Sequence, residues 1–240
     1  MISFNQASVV AHDGATILHP VSLRLTEQRI SVIGANGSGK STLARLINGL
    51  VEPSSGSVTV HTGTGTGTDA GTGTGLDTVA DGAAVRRAVG FVFTDPSAQL
   101  IMPTVIEDVE LSLRREHRDA GARRAAALAA LDRFGLAGFA ERSVHALSGG
   151  QQQLLAIATV LATEPRILIT DEPTTLLDLR NTGIIGDLLL SLPQQVVIVT
   201  HNLELAARAD RTLVVSDGRI AFDGEPAAAV AHYRERVAAQ

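Results

Sequence analysis

Ile30-Ser31-Val32-Ile33-Gly34-Ala35-Asn36-Gly37-Ser38-Gly39-Lys40-Ser41-Thr42-Leu43-Ala44-Arg45-Leu46-Ile47 decides the fold. The apolar run Ile30 to Ile33 reads as a buried strand, and Ser41 to Ile47 has the apolar spacing of a helix that ends near Gly49. Between them Gly34 to Ser41 fits the pattern of a phosphate-binding loop, which carries meaning only when a strand leads in and a helix follows. Without those flanks it could be a glycine turn beside a lysine. Glycines let successive backbone N–H groups turn toward phosphate oxygens, and a helix beginning near Lys40 adds its positive end. Gly34, Ala35, Asn36, Gly37, Ser38, Gly39, Lys40, Ser41 and Thr42 are therefore the expected nucleotide contacts. Lys40 is expected to reach the β- and γ-phosphates, and Ser41 to ligate Mg²⁺.

The composition agrees with this loop being a special place. Of the 20 basic residues, Lys40 is the one lysine and the rest are arginine. A lysine kept where arginine is otherwise used suits a site that needs a compact ammonium. With 240 residues the chain can bury one core with a lobe attached. No apolar stretch reaches the ~18 to 20 residues of a bilayer-spanning helix. Met1 to Gln6 lack the basic flank and apolar run of a secretory signal, so a cytoplasmic protein is expected. The absence of cysteine removes disulfides, thiolate metal sites and thiol catalysis. A net charge of -5 argues against a nucleic-acid partner.

Outward from the loop, Ile2 to Ile33 reads as short strands with turn signals at Asp13-Gly14 and His19-Pro20. Further strands are expected at Val89 to Phe93, Ile167 to Thr170, Val196 to Thr200 and Thr212 to Val215. Thr104 to Ala146 reads as a mainly helical lobe. Residues 61–75 are mostly alternating Gly and Thr, the composition of a flexible insertion. Gly65-Thr66-Gly67-Thr68-Asp69-Ala70 fits a loose dinucleotide fingerprint, but no strand precedes it and no helical pattern follows. Strands alternating with helices predict an α/β core with a helical lobe inserted between its halves.

Two more segments carry chemistry. Ile167-Leu168-Ile169-Thr170-Asp171-Glu172 is an apolar strand tipped by two carboxylates, where a parallel sheet presents charge to a ligand. Asp171 is the candidate Mg²⁺ anchor and Glu172 the candidate general base toward an attacking water. In Leu147-Ser148-Gly149-Gly150-Gln151, Ser148 can cap a helix that begins at Gly149, which leaves N–H groups free for an anion.

With that segment in place the sequence resembles the ABC-type ATPases, from Ile2 to about Pro226. The resemblance implies a P-loop NTPase core with a parallel sheet flanked by helices, an N-terminal antiparallel β subdomain and an inserted helical subdomain. It divides a single ATP-binding domain, 1–240, into a core of 1–93 and 155–226 and a lobe of 94–154. It also implies that ATP, with Mg²⁺, is sandwiched in a homo- or heterodimer, with Ser148, Gly149, Gly150 and Gln151 of one chain facing the γ-phosphate held by the other. Thr174 to Asp178 matches the family's loop that contacts the opposite subunit, with Asp178 at its acidic position, and His201 matches its γ-phosphate-sensing histidine. Glu172, His201 and Lys40 form the catalytic set this implies, with Ser41 and Asp171 as metal ligands.

Within the family, Val92 to Leu100 and Thr104 to Val109 resemble ATPases of energy-coupling-factor vitamin and metal importers. Thr94 together with Gln151 to Leu155 is similar to the biotin branch. The implied protein lies at the cytoplasmic face of the cell membrane, bound to membrane-embedded transporter subunits. A soluble ATPase of the translation or DNA-repair type is the alternative, though such relatives carry fused cassettes, long coiled coils or basic linkers that this chain lacks. Two departures stand out. The family has Gln where Thr94 stands, so either Gln99 or Thr94 through a water takes that role. The aromatic that stacks on adenine near Ala11 is missing, with His12 the nearest substitute.

Overall fold

The computed structural model describes residues 1–63 and 75–238. Their strands form two sheets. The first is four-stranded, in the order β2-β1-β4-β5, from Ile2–Val10 (β1), Thr16–Leu25 (β2), Ser55–His61 (β4) and Gly75–Asp77 (β5), all antiparallel. The second is six-stranded, in the order β10-β9-β3-β8-β7-β6. In it Arg29–Ile33 (β3), Val89–Val92 (β6), Ile167–Asp171 (β7), Gln195–Val199 (β8) and Arg211–Ser216 (β9) run parallel, and Arg219–Gly224 (β10) closes one edge antiparallel. All five residues of β3 and of β7 are buried, as strands covered on both faces must be.

One face of the six-stranded sheet meets the helix after the phosphate loop, Lys40–Asn48 (α1), and the antiparallel sheet; Leu43, Leu46 and Ile47 pack with Ile30, Val32, Val58 and Val60. The other face, through Leu168, Val196 and Ile198, packs against Val105–Ser112 (α3), Ala120–Asp132 (α4), Gly149–Leu161 (α5) and Leu179–Ser191 (α6). Gly82–Ala88 (α2), Leu203–Ala206 (α7) and Pro226–Ala238 (α8) complete the helices of the described residues. Arg29 is 8% exposed and its guanidinium donates to the carbonyls of Leu190, Leu192 and Gln194. That ties β3, and so the loop it feeds, to the connection between α6 and β8.

One expectation needs correction. His19-Pro20 is not a turn but lies inside β2, an edge strand, where a proline costs no ladder bond on its solvent side. Asp13-Gly14 does turn: Gly14 has φ +85° and the Asp13 carboxylate accepts from the Ala15 N–H at 3.0 Å. The lobe boundary between 154 and 155 falls within α5, and lobe residues such as Ile106 and Leu131 share a cluster with the sheet. The core also continues past 226, because Ala229 and Val230 of α8 pack on Ile33 and Val214. The Gly/Thr insertion begins and ends inside paired strand, His61 opposite Gly75. Its remainder, with the loose fingerprint at 65–70, lies outside the described residues. No helix among the described residues is long and apolar enough to cross a membrane.

Candidate functional site

The carboxyl ends of β3, β7 and β8 place the site. Beyond Ile33 the chain turns through Gly34, Gly37 and Gly39, with φ of +151°, +75° and +104°. A side chain at Gly34 would put its Cβ 2.1 Å from the Val215 carbonyl oxygen, so only glycine lets the loop pass beside β9. The turn between β9 and β10 supports the loop from behind, with the Gly218 N–H donating to the Ser38 carbonyl at 2.9 Å. Lys40 is 6% exposed, and its ammonium donates to the carbonyls of Gly34 at 2.9 Å and Ala35 at 2.8 Å. Burial holds the ammonium's pKa below the ordinary lysine value, while the charges of Glu172 and Asp171 oppose that shift.

Asp171 ends β7 at 1% exposure, with both oxygens engaged. Oδ1 accepts from the Ser41 hydroxyl at 2.8 Å, and Oδ2 lies 3.3 Å from the Arg45 guanidinium. A hydroxyl and a carboxylate brought together beside a phosphate loop are the hard oxygen donors that suit Mg²⁺, which takes its other ligands from phosphates and water. The expected metal pair is thus adjacent. Arg45 went unnoticed in the sequence, although its i,i+4 spacing from Ser41 sets both on one helix face.

Glu172 follows with φ +54°, a left-handed backbone that strains a residue with a Cβ. Its side chain is only 14% exposed. One oxygen, Oε2, accepts from the Thr175 hydroxyl at 3.1 Å and the His201 N–H at 3.2 Å, and lies 2.7 Å from His201 Nδ1. None of these bonds uses Oε1. One oxygen is anchored and the other is left to act, an arrangement suited to a base that must hold its direction.

Two clefts flank the loop. One is lined by Gly34, Ala35, Asn36, Thr94, Glu172, Thr175, His201 and Tyr233. The other is lined by Ile17 and by Gly37, Ser38, Gly39, Lys40, Ser41 and Thr42. Every residue expected in the phosphate loop therefore lines one of them. Tyr233 and Ile17 escaped the sequence reading: Tyr233 comes from α8, beyond the expected core, and Ile17 reads as an ordinary strand residue. Ile17 is 37% exposed beside the loop, whereas His12 is absent from both linings.

Ser148 caps α5 as expected, its hydroxyl accepting from the Gln151 N–H at 3.3 Å while the Gln151 side chain accepts from the Ser148 N–H at 2.9 Å. Asp178 caps α6, accepting from the Asn181 N–H at 2.8 Å. Ser148, Gly149, Gly150, Gln151 and Asp178 line neither cleft. Nor does Gln99. After the 3-10 turn Pro96–Ala98 its amide accepts from the Phe93 N–H at 3.3 Å and donates to the Ala156 carbonyl at 3.4 Å. Thr94, by contrast, lines the cleft that holds Glu172 and His201 and donates to the Asp171 carbonyl at 2.9 Å.

The sequence model of the ABC transporter family matches residues 18–175. The biotin transport ATP-binding protein BioM of Rhizobium etli is 42% identical over 98% of both chains. Among solved structures, cbiO1 of Clostridium perfringens, described as part of the ABC transporter complex cbiONQ, superposes with TM-score 0.81 at 28% identity. The match covers 98% of this chain and 93% of that one. The ATP-binding cassette MJ0796, in a dimeric post-hydrolysis state bound to ADP and Pi, gives TM-score 0.78 at 30% identity, covering 94% and 99%.

Proposed function

The chain belongs to the ABC transporter family, and from that premise we propose that it is the ATP-binding and ATP-hydrolysing subunit that energises a membrane importer of the energy-coupling-factor type, for a vitamin or a metal. The observation that carries the ATPase is the convergence of Lys40, Ser41, Asp171, Glu172 and His201 at one edge of the parallel sheet. Backbone N–H groups of the loop and the start of α1 wrap the phosphates, and Lys40 turns from the Gly34 and Ala35 carbonyls to the β- and γ-phosphate oxygens. Bound between Ser41 and Asp171, Mg²⁺ would supply charge neutralisation across those phosphates. The water's oxygen attacks the γ-phosphorus, Glu172 Oε1 takes its proton, and the bond to the bridging oxygen of ADP breaks. His201 steadies Oε2 during this step.

The capped end of α5 lines neither cleft of its own chain. This supports a two-chain site in which Ser148 to Gln151 close over the partner's nucleotide, and MJ0796 is itself described as dimeric. The membrane side rests on the named relatives, BioM and a member of the cbiONQ complex. We place the chain peripherally, at the cytoplasmic face of a membrane, against membrane-embedded subunits that choose the solute. Biotin is the narrower proposal.

Mixing a Lys40→Ala chain with a Ser148→Arg chain tests the two-chain site. In the heterodimer one site carries both lesions and the other carries none, so activity should reappear in the mixture. Equal ATP-driven dimerisation when both chains carry Ser148→Arg would refute it. Co-purification from mild detergent, followed by biotin uptake in the reconstituted complex, tests the membrane reading.

A further inference from the structure

We infer that Asn181 is a positioning residue for the anion-facing end of α5, joining it to the loop 174–178 so that both partner-facing elements hold one arrangement. The inference rests on the two-chain reading above. Gly150, the second residue of α5, has no room for a side chain: a Cβ there would lie 2.6 Å from the Asn181 side-chain carbon and oxygen and 3.0 Å from its nitrogen. The amide of Asn181 thus sits flat against the first turn of the helix. The same amide is held from the other side, where its nitrogen donates to Asp178 Oδ2 at 3.1 Å. Asp178 Oδ1 meanwhile accepts from the Asn181 N–H at 2.8 Å, so one carboxylate grips both donors of one residue.

The loop itself also approaches α5. A Cβ on Gly149 would come 3.9 Å from the Leu176 carbonyl oxygen, which is ordinary contact. Within the loop Thr175 donates to Glu172, so the catalytic carboxylate and the capped helix end lie at the two ends of one short bonded segment. Asn181 fixes the helix end of that segment. A short amide at 181 and the absence of a side chain at 150 are two halves of one contact, which neither residue reveals alone.

The test uses full-length protein carrying Glu172→Gln, so that bound ATP persists, and compares Asn181→Ala, Gly150→Ala and the double variant. ATP affinity of the dilute monomer, dimer formation by sedimentation and thermal midpoint are measured for each. Asn181→Ala should leave monomer affinity unchanged and weaken ATP-driven dimerisation about tenfold, the scale of one hydrogen bond to a carboxylate. Gly150→Ala should weaken dimerisation too, and adding Asn181→Ala should restore part of it by opening the space the new methyl needs. Asn181→Ser keeps a donor for Asp178 and should dimerise more like the parent than Asn181→Ala, even if the alanine variant is less stable. Parent-like dimerisation of Asn181→Ala, or losses that simply add in the double variant, would overturn the inference. If Ser148→Arg still dimerises with ATP, the two-chain reading itself fails, whatever Asn181 does.

Discussion

Glu172→Gln should separate catalysis from both stability and binding. In the parent, Oε2 takes the Thr175 hydroxyl, the His201 N–H and the contact with His201 Nδ1, and Oε1 is the oxygen left to act. An amide in this place has one way to keep the two clear donors satisfied: its carbonyl oxygen must occupy the anchored position. The NH₂ group then stands where Oε1 stood, and it cannot accept a proton. Since the anchoring bonds and the left-handed backbone persist, folding stability should change by less than about 1 kcal/mol, as for exchange among satisfied hydrogen bonds. Loss of a positioned base should slow hydrolysis by ~10²- to 10⁴-fold. Single-turnover hydrolysis of radiolabelled ATP, nucleotide affinity and a thermal melt on the same preparation read all three quantities. Turnover within a few-fold of the parent would refute the base assignment. A collapse of affinity alongside turnover would instead mean that the carboxylate is needed to shape the loop around Lys40.

Thr94→Ala and Gln99→Ala should differ in kind. Thr94→Ala removes a hydroxyl bonded beside Asp171 in the catalytic cleft and should lower ATPase several-fold, the worth of one hydrogen bond, with folding little changed. Gln99→Ala leaves the Phe93 N–H without its partner and should lower the thermal midpoint while ATP affinity stays normal; a stable Gln99→Ala with crippled turnover would reverse the assignment. Replacing Thr62 to Thr74 by a short Gly-Ser bridge should leave ATPase near normal, because His61 and Gly75 already face each other and a shorter loop is easier to close. Lost activity in that variant would mark the tract as a binding element.

The legible parts of this protein are those that backbone geometry writes into short runs of sequence. A Cβ at position 34 would lie 2.1 Å from a carbonyl oxygen, so the loop admits only glycine there, and the apolar strand Ile167–Asp171 leads straight into the paired carboxylates of Asp171 and Glu172. Such demands leave marks within a few residues, so the phosphate loop, the strand tip and the cap at Ser148 could be read without coordinates. The joints between those segments leave no such mark. Tyr233 reaches the cleft only because α8 folds back along β9 and β10, and no spacing in the sequence connects it with Asn36 or His201.

Gln99 shows how small the deciding quantity can be. Both it and Thr94 lie within a few residues of the end of β6, both can form hydrogen bonds, and spacing alone cannot choose between them. The choice is made by Asp95, whose carboxylate accepts from the Ser97 N–H at 2.8 Å and starts the 3-10 turn Pro96–Ala98. That turn carries the chain away from the sheet edge and brings position 99 back against α5, where the amide bonds the Phe93 N–H and the Ala156 carbonyl. Thr94 stands before the turn, still in line with the strand, and therefore keeps its side chain in the cleft. A longer side chain at 99 does not compensate, because its polar end is already committed to holding the lobe's entry segment against the core. The short hydroxyl at 94 is thus the one of the two side chains that bonds the carbonyl of Asp171.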